Sequence, residues 1–248
     1  MPTAVQCLID DHQPYAVARV VGVLDGKGAV AVRSALIKCL AEQPEAVLVD
    51  LSGMRLGEPS ALSVFFAVAR QAARWPAVPL VLCAPPADAA DFLRRGADDR
   101  RMPVLPTLGD AVRSLQLDPA APSISEDLLP VVGAGRRARE LATEACFLWD
   151  VPELVGPACT VATELVNNVV AHAHTMMTLR MAVRGRYLHI AVRDGSAAEP
   201  VPCRDVSPTA LSGRGLTLVE TVARHWGSLP TVGGKVVWAV LDVAPRPR

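Results

Sequence analysis

The sequence predicts two domains, an α/β unit followed by an α+β unit. Three observations carry this. The 248 residues are 51% hydrophobic, enough for two modest cores and too apolar for a chain disordered throughout. Strand and helix signals alternate in the first half, whereas in the second two helices precede a hairpin, a further helix and a second hairpin. Between the halves, residues 117–127 (LDPAAPSISED) combine Pro, Ala, Ser and acids and break both periodic regions, as a linker does. The expected domains are therefore 1–116 and 128–248.

In the first half, Ala16–Leu24 (AVARVVGVL) is an apolar, β-branched run closed by Asp25-Gly26 and reads as a strand. Val30–Leu40 is helical in pattern, with Val32, Leu36 and Leu40 on one face. Ala46–Leu51 reads as a buried strand, Ser60–Ala73 as a helix and Pro79–Cys83 as a strand. Helices at Ala87–Arg95 and Asp110–Leu115 complete a set that packs helices on a sheet. In the second half, helices are expected at Val132–Phe147 and Val155–Ala173 and strands at Met177–Val183 and Tyr187–Val192. A polar loop then runs to Ser212, followed by a helix at Leu216–His225 and strands around Thr231 and over Val236–Val243.

Charge narrows the function classes. Twenty-five basic residues balance 25 acidic ones, and the basic residues are dispersed, which argues against a nucleic-acid or anionic membrane surface. The start, MPTAVQCLIDDHQ, has no basic segment and no long apolar stretch, and no uninterrupted apolar run approaches the roughly 18 residues of a membrane span. A soluble, cytoplasmic chain is expected. The cysteines, Cys7, Cys39, Cys83, Cys146, Cys159 and Cys203, form no CxxC pair and read as buried thiols.

Three short motifs could carry chemistry. In ELVNNVVAHAH, Glu164, Asn168 and His172 recur at i, i+4 and i+8 and share one helix face. A solvated face is the bland reading, but beyond Glu164 this stripe has none of the long charged chains that usually make one. His172 and His174, two apart, point away from each other and make no shared metal site. Asp194-Gly195 closes a strand, either as a plain turn or as a carboxylate presented to a ligand amine. Gly213-Arg214-Gly215 precedes a helix, either as a turn or as a close backbone approach to phosphates at a helix N-terminus. There is no P-loop, since Lys235 follows two glycines but precedes Val236 and Val237, and the GxG of VVGAG at 131–135 follows no strand.

Taken together and in order, these motifs resemble the ATP-binding domain of the GHKL superfamily, within it the anti-sigma-factor serine kinases. ELVNNVVAH resembles the N box, VRDG the adenine-binding box, SGRGLTLVETVARHWG the glycine box with its helix, and GGKVVWAVL the closing strands, over about residues 128–248. The resemblance implies an ATPase sandwich with Glu164 as general base and Asn168 as Mg²⁺ ligand. It implies Asp194 on the adenine amino group and Gly213, Arg214, Gly215 and Leu216 around the phosphates. ATP and Mg²⁺ are the implied cofactors. The family's closing threonine corresponds to Val236, and the lid, 196–212, lacks a second glycine.

Over about residues 4–116, VVGVLD and AVLVDLSGMRLGEPSALSVFFAVA resemble the STAS domain of anti-sigma-factor antagonists, an α/β fold with a mixed sheet. Ser60 corresponds to the serine such antagonists have phosphorylated, within Glu58-Pro59-Ser60-Ala61, where Pro59 and Ala61 replace a serine and a glycine of the family's motif. A phosphate there would meet a positive helix end; alternatively Ser60 only caps its helix. The combination implies an ATP-binding regulator of sigma-factor partner switching that phosphorylates a serine of a STAS-domain antagonist. The alternative is a non-catalytic nucleotide-binding module whose STAS half is a docking platform. A sigma factor, a STAS antagonist or both are the implied partners, with homodimerisation an open option and neither nucleic acid nor membrane expected.

Overall fold

The computed structural model describes residues 5–12, 14–97, 102–116, 121–200 and 215–243. Contacts divide the chain into two units, Met1–Ala120 and Ala121–Arg248. The first runs β1 (Gln6–His12), β2 (Tyr15–Leu24), α1 (Gly26–Ala41), β3 (Val47–Asp50), β4 (Met54–Leu56), a 3₁₀ turn (Pro59–Leu62), α2 (Ser63–Arg74), β5 (Leu80–Cys83), α3 (Ala87–Ala97), β6 (Val104–Leu105) and α4 (Leu108–Gln116). The sheet order is β1-β2-β3-β5-β6, with β4 alongside β2. β1 is antiparallel to β2 and the remaining pairs are parallel, so the sheet is mixed.

Val47–Val49 of β3 and Leu80–Cys83 of β5 are apolar without a break because both of their faces are covered. Val47, Val49, Leu80 and Leu82 share a core with Val32, Leu36, Phe65, Val68 and Leu93 of α1, α2 and α3. Leu48 and Val81, pointing the other way, pack with Ala111 of α4. Helix α1 begins at Gly26, four residues before the expected Val30. Asp25 is its N-cap, accepting the Gly28 N–H at 2.7 Å, and so starts this helix as well as ending β2. β1, β4 and β6 were not expected. The last two are short, and β1 is a polar edge strand whose register against β2 comes from the hairpin.

The second unit runs β7 (Ser123–Leu128), α5 (Ala134–Leu148), a 3₁₀ turn (Pro152–Leu154), α6 (Val155–Asn168), a π-helical turn (Val169–Ala173), β8 (Met177–Arg184), β9 (Tyr187–Asp194), α7 (Gly215–Val222), β10 (His225–Thr231) and β11 (Gly234–Asp242). Its sheet is antiparallel in the order β10-β11-β9-β8-β7. Alternate residues Leu179, Met181, Ile190, Val192, Val237 and Ala239 form one core with the buried faces of α5, α6 and α7. Pro152–Ala173 is long and apolar enough to cross a membrane by length and composition, yet its Val161, Ala162, Leu165 and Val166 belong to this core.

Two expectations about this unit need correction. Residues 123–127, expected in the linker, belong to β7. SISED reads as polar because the strand lies at the sheet edge, and Glu126, which pairs with Leu179 across the sheet, is held by a bidentate ion pair with Arg137 of α5 at 2.8 Å. That pairing also lowers the Glu126 pKa. The helix expected to reach His225 stops at Val222. The Arg224 N–H bonds the Val240 carbonyl at 2.9 Å, turning the chain into β10, and Trp226 joins the core. Five cysteines are free thiols; burial pushes Cys7 and Cys146 up to about 11, and burial with the nearby Asp50 pushes Cys83 up to about 12. Cys203 lies outside the described residues.

Candidate functional site

Helix α6 buries its apolar face and leaves Glu164 and Asn168 half-exposed along another. Beyond Asn168 the helix widens into the π turn, which ends at His174 in the left-handed region, φ 54°. Such turns redirect side chains and recur at functional sites. Here the turn brings His172 and Ala173 to the wall of a cavity of about 460 Å³ that is also lined by Asn168, Asp194, Gly215, Leu216 and Lys235.

Strand β9 delivers Asp194 to this cavity. The expected strand stopped at Val192, but pairing continues to Asp194, which lies opposite Met177 on β8 and Lys235 on β11. Asp194 is 3% exposed. Its Oδ1 accepts the Ser196 N–H at 2.7 Å. The Lys235 ammonium stands 2.9 Å from each carboxylate oxygen and donates to the Ser196 carbonyl at 3.2 Å. The Gly195 N–H donates to Thr175 Oγ1 at 3.0 Å, tying the strand end to the segment after the π turn.

Two glycines make the site possible. A Cβ on Gly234 would stand 1.9 Å from the Asp194 carbonyl oxygen, so β11 approaches the end of β9 closely enough to exclude any side chain. A Cβ on Gly215 would stand 2.5 Å from Glu164 Oε2 and 3.6 Å from Asn168 Oδ1, so the start of α7 lies directly against the two polar groups of α6. The structure thus brings Asn168, Asp194, Gly215 and Leu216 to one cavity and sets Glu164 against Gly215. Gly213 and Arg214 lie outside the described residues, as does most of the expected lid.

Sequence reasoning missed Lys235. It assigned the closing-strand position to Val236, but register pairs Lys235 with Asp194 and Val236 with Arg193, so Lys235 faces the cavity and Val236, fully buried, faces away from it. The two-residue period counted back from Val237, which lines the cavity, was the available signal. Among the described residues no cluster of three or more His, Cys, Asp or Glu could hold a metal alone. Asn168 and Glu164 offer hard oxygens of the kind Mg²⁺ accepts alongside phosphate and water, in the space that the missing Gly215 side chain leaves, so these residues fit that ion.

Ser60 belongs to the first unit. It is exposed in the 3₁₀ turn after Pro59. Its hydroxyl donates to the Glu58 carboxylate, which also accepts the Gly26 N–H at 3.1 Å. No side chain caps this turn, so the helix-cap role is replaced by a hydroxyl–carboxylate contact.

No family model and no curated protein matches the chain. Solved structures of STAS-type anti-sigma-factor antagonists match about half of it. One from Mycobacterium paratuberculosis is 26% identical over 45% of this chain and 94% of its own, with a TM-score of 0.38. A STAS-domain protein from Planctomyces limnophilus is 16% identical over 44% and 96%, with a TM-score of 0.36. The RsbU and RsbW domains of a Mycobacterium tuberculosis protein are 15% identical over 50% of this chain, with a TM-score of 0.39, and the match spans 32% of that longer chain.

Proposed function

We propose that the second unit binds Mg·ATP and that the chain is an ATP-dependent regulator of sigma-factor partner switching, phosphorylating a serine of a STAS-domain protein. The observation that carries this is the convergence of Glu164, Asn168 and Gly215. Asn168 of α6 and Gly215 of α7, distant in sequence, line the same cavity, and Glu164 stands beside it, where a Cβ on Gly215 would strike its carboxylate. The sigma-factor context comes from the sequence resemblance of both halves.

In this reading Asn168 holds Mg²⁺ through its amide oxygen, and the start of α7 accepts the phosphates. The ion offsets phosphate charge when bound. Glu164 takes the proton of the substrate hydroxyl, a role that nucleotide binding alone would not need. Asp194 accepts from the base amino group. Ser60 is the candidate acceptor within this chain. A phosphate there adds about −1.5 to −2 charges beside Glu58, which favours release of the Glu58 contact with Gly26.

The test is calorimetry of ATP with the full chain, followed by transfer of labelled phosphate to Ser60 or to an added STAS protein, read by mass spectrometry. Glu164→Gln should leave ATP affinity nearly unchanged and slow transfer by about 10²–10⁴-fold. Wild-type protein that binds ATP but transfers phosphate to neither acceptor establishes the binding-module alternative. Absence of ATP binding refutes the site.

A further inference from the structure

The base end of the cavity carries a charge pair that the sequence did not suggest. Leu165, Val169, Ala173, Val192, Leu216 and Val237 make its walls apolar, a setting suited to a flat aromatic ring. At its polar end the Lys235 ammonium and Asp194 carboxylate stand 2.9 Å apart, with the lysine side chain 12% exposed. The pair is neutral overall, so an uncharged base can dock against it without facing an unbalanced buried charge. It also presents a fixed donor beside a fixed acceptor. An ammonium has three N–H groups. One shared between the carboxylate oxygens and one on the Ser196 carbonyl leave a third for a ligand, and Asp194 Oδ2 keeps lone pairs for a ligand amine.

We propose that Lys235 is a base-selecting residue that donates to the ring nitrogen N1 of adenine while Asp194 accepts from the neighbouring amino group. The inference rests on the nucleotide-binding reading above and adds a residue to it. Adenine offers an amino donor next to a ring-nitrogen acceptor, which matches carboxylate next to ammonium. In the same pose a 6-oxopurine sets its carbonyl oxygen against the carboxylate and its N1–H against the ammonium, so both contacts become repulsive. Lys235 thereby admits ATP and rejects GTP and ITP.

The test is titration calorimetry of the full chain with Mg²⁺ and ATP, GTP or 1-deaza-ATP, in which a C–H replaces N1. Wild type should bind 1-deaza-ATP and GTP about 10–100-fold more weakly than ATP, as expected for loss of a charge-assisted hydrogen bond. Lys235→Met should bind ATP and 1-deaza-ATP equally, at the weaker level, while Lys235→Arg, which keeps a donor, should retain the difference. Equal wild-type affinity for ATP and 1-deaza-ATP overturns the role of Lys235 and leaves the nucleotide site standing. Tighter ATP binding by Lys235→Met overturns it too, since the ammonium would then be occupying the place of the base. If wild type binds no nucleotide, the reading beneath the proposal fails with it. The wild-type comparison decides the matter even if a variant fails to fold.

Discussion

Asp194→Asn should unfold the second unit more easily, for a reason independent of any ligand. Asp194 is 3% exposed and bonded to Lys235 at both oxygens. Removing its charge leaves the Lys235 ammonium nine-tenths buried, with the Ser196 carbonyl as its remaining full acceptor. Breaking one side of a buried pair costs about 3–5 kcal/mol. The amide keeps one acceptor oxygen, so the lower end applies, about 3 kcal/mol. For a unit of this size that corresponds to a fall in melting temperature of roughly 10 °C. Lys235→Met strands the carboxylate instead and should cost a similar amount. The double variant should cost less than either single one, because no unpaired charge remains. Urea titration followed by tryptophan fluorescence reads the unit through Trp149, Trp226 and Trp238, and the transition of the first unit, which holds Trp75, should be the same in every variant. Single variants that each cost under about 1 kcal/mol and simply add would refute the coupling.

Gly234→Ala should abolish nucleotide binding and cost about 2–4 kcal/mol, because its Cβ meets rigid backbone of Asp194. Gly215→Ala, which meets the movable end of Glu164, should stay within about 1 kcal/mol of wild type in the same denaturation assay. His189 is buried, neither ring nitrogen has a hydrogen-bond partner among the described residues, and burial with the nearby Arg184 pushes its pKa down to about 4. The unfolded chain therefore takes up this proton at higher pH than the folded one. The contribution of His189 is complete above about pH 6.5 and is lost progressively as pH falls towards 4; His189→Leu should flatten that part of a stability–pH curve. Ser60→Ala should change stability by less than about 0.5 kcal/mol by thermal melt, since its hydroxyl meets an exposed carboxylate and caps nothing.

Elements whose burial comes from one repeating face were legible in the sequence. The apolar segments Ala46–Leu51 and Pro79–Cys83 read as buried strands and Val155–Ala173 as a helix, and the strands Val47–Asp50 and Leu80–Cys83 and the helix Val155–Asn168 lie there. Elements that owe their structure to a neighbour were not legible. β7 is polar along much of its length and becomes a strand through β8 and the Arg137 pair. α7 ends where Arg224 meets Val240 from a distant strand.

The same division runs through the site. Helical spacing alone put Glu164 and Asn168 on one face, and Asp194-Gly195 announced a strand end, because these are properties of contiguous chain. What lies across from them was decided by register. A shift of one residue in β11 would turn Lys235 out of the cavity and Val236 in. No local pattern records that choice, since it is set by the long-range packing of β9, β10 and β11. The partner of Asp194 and the space beside Gly215 therefore exist only in the folded unit, where segments far apart in sequence approach to within a few ångströms.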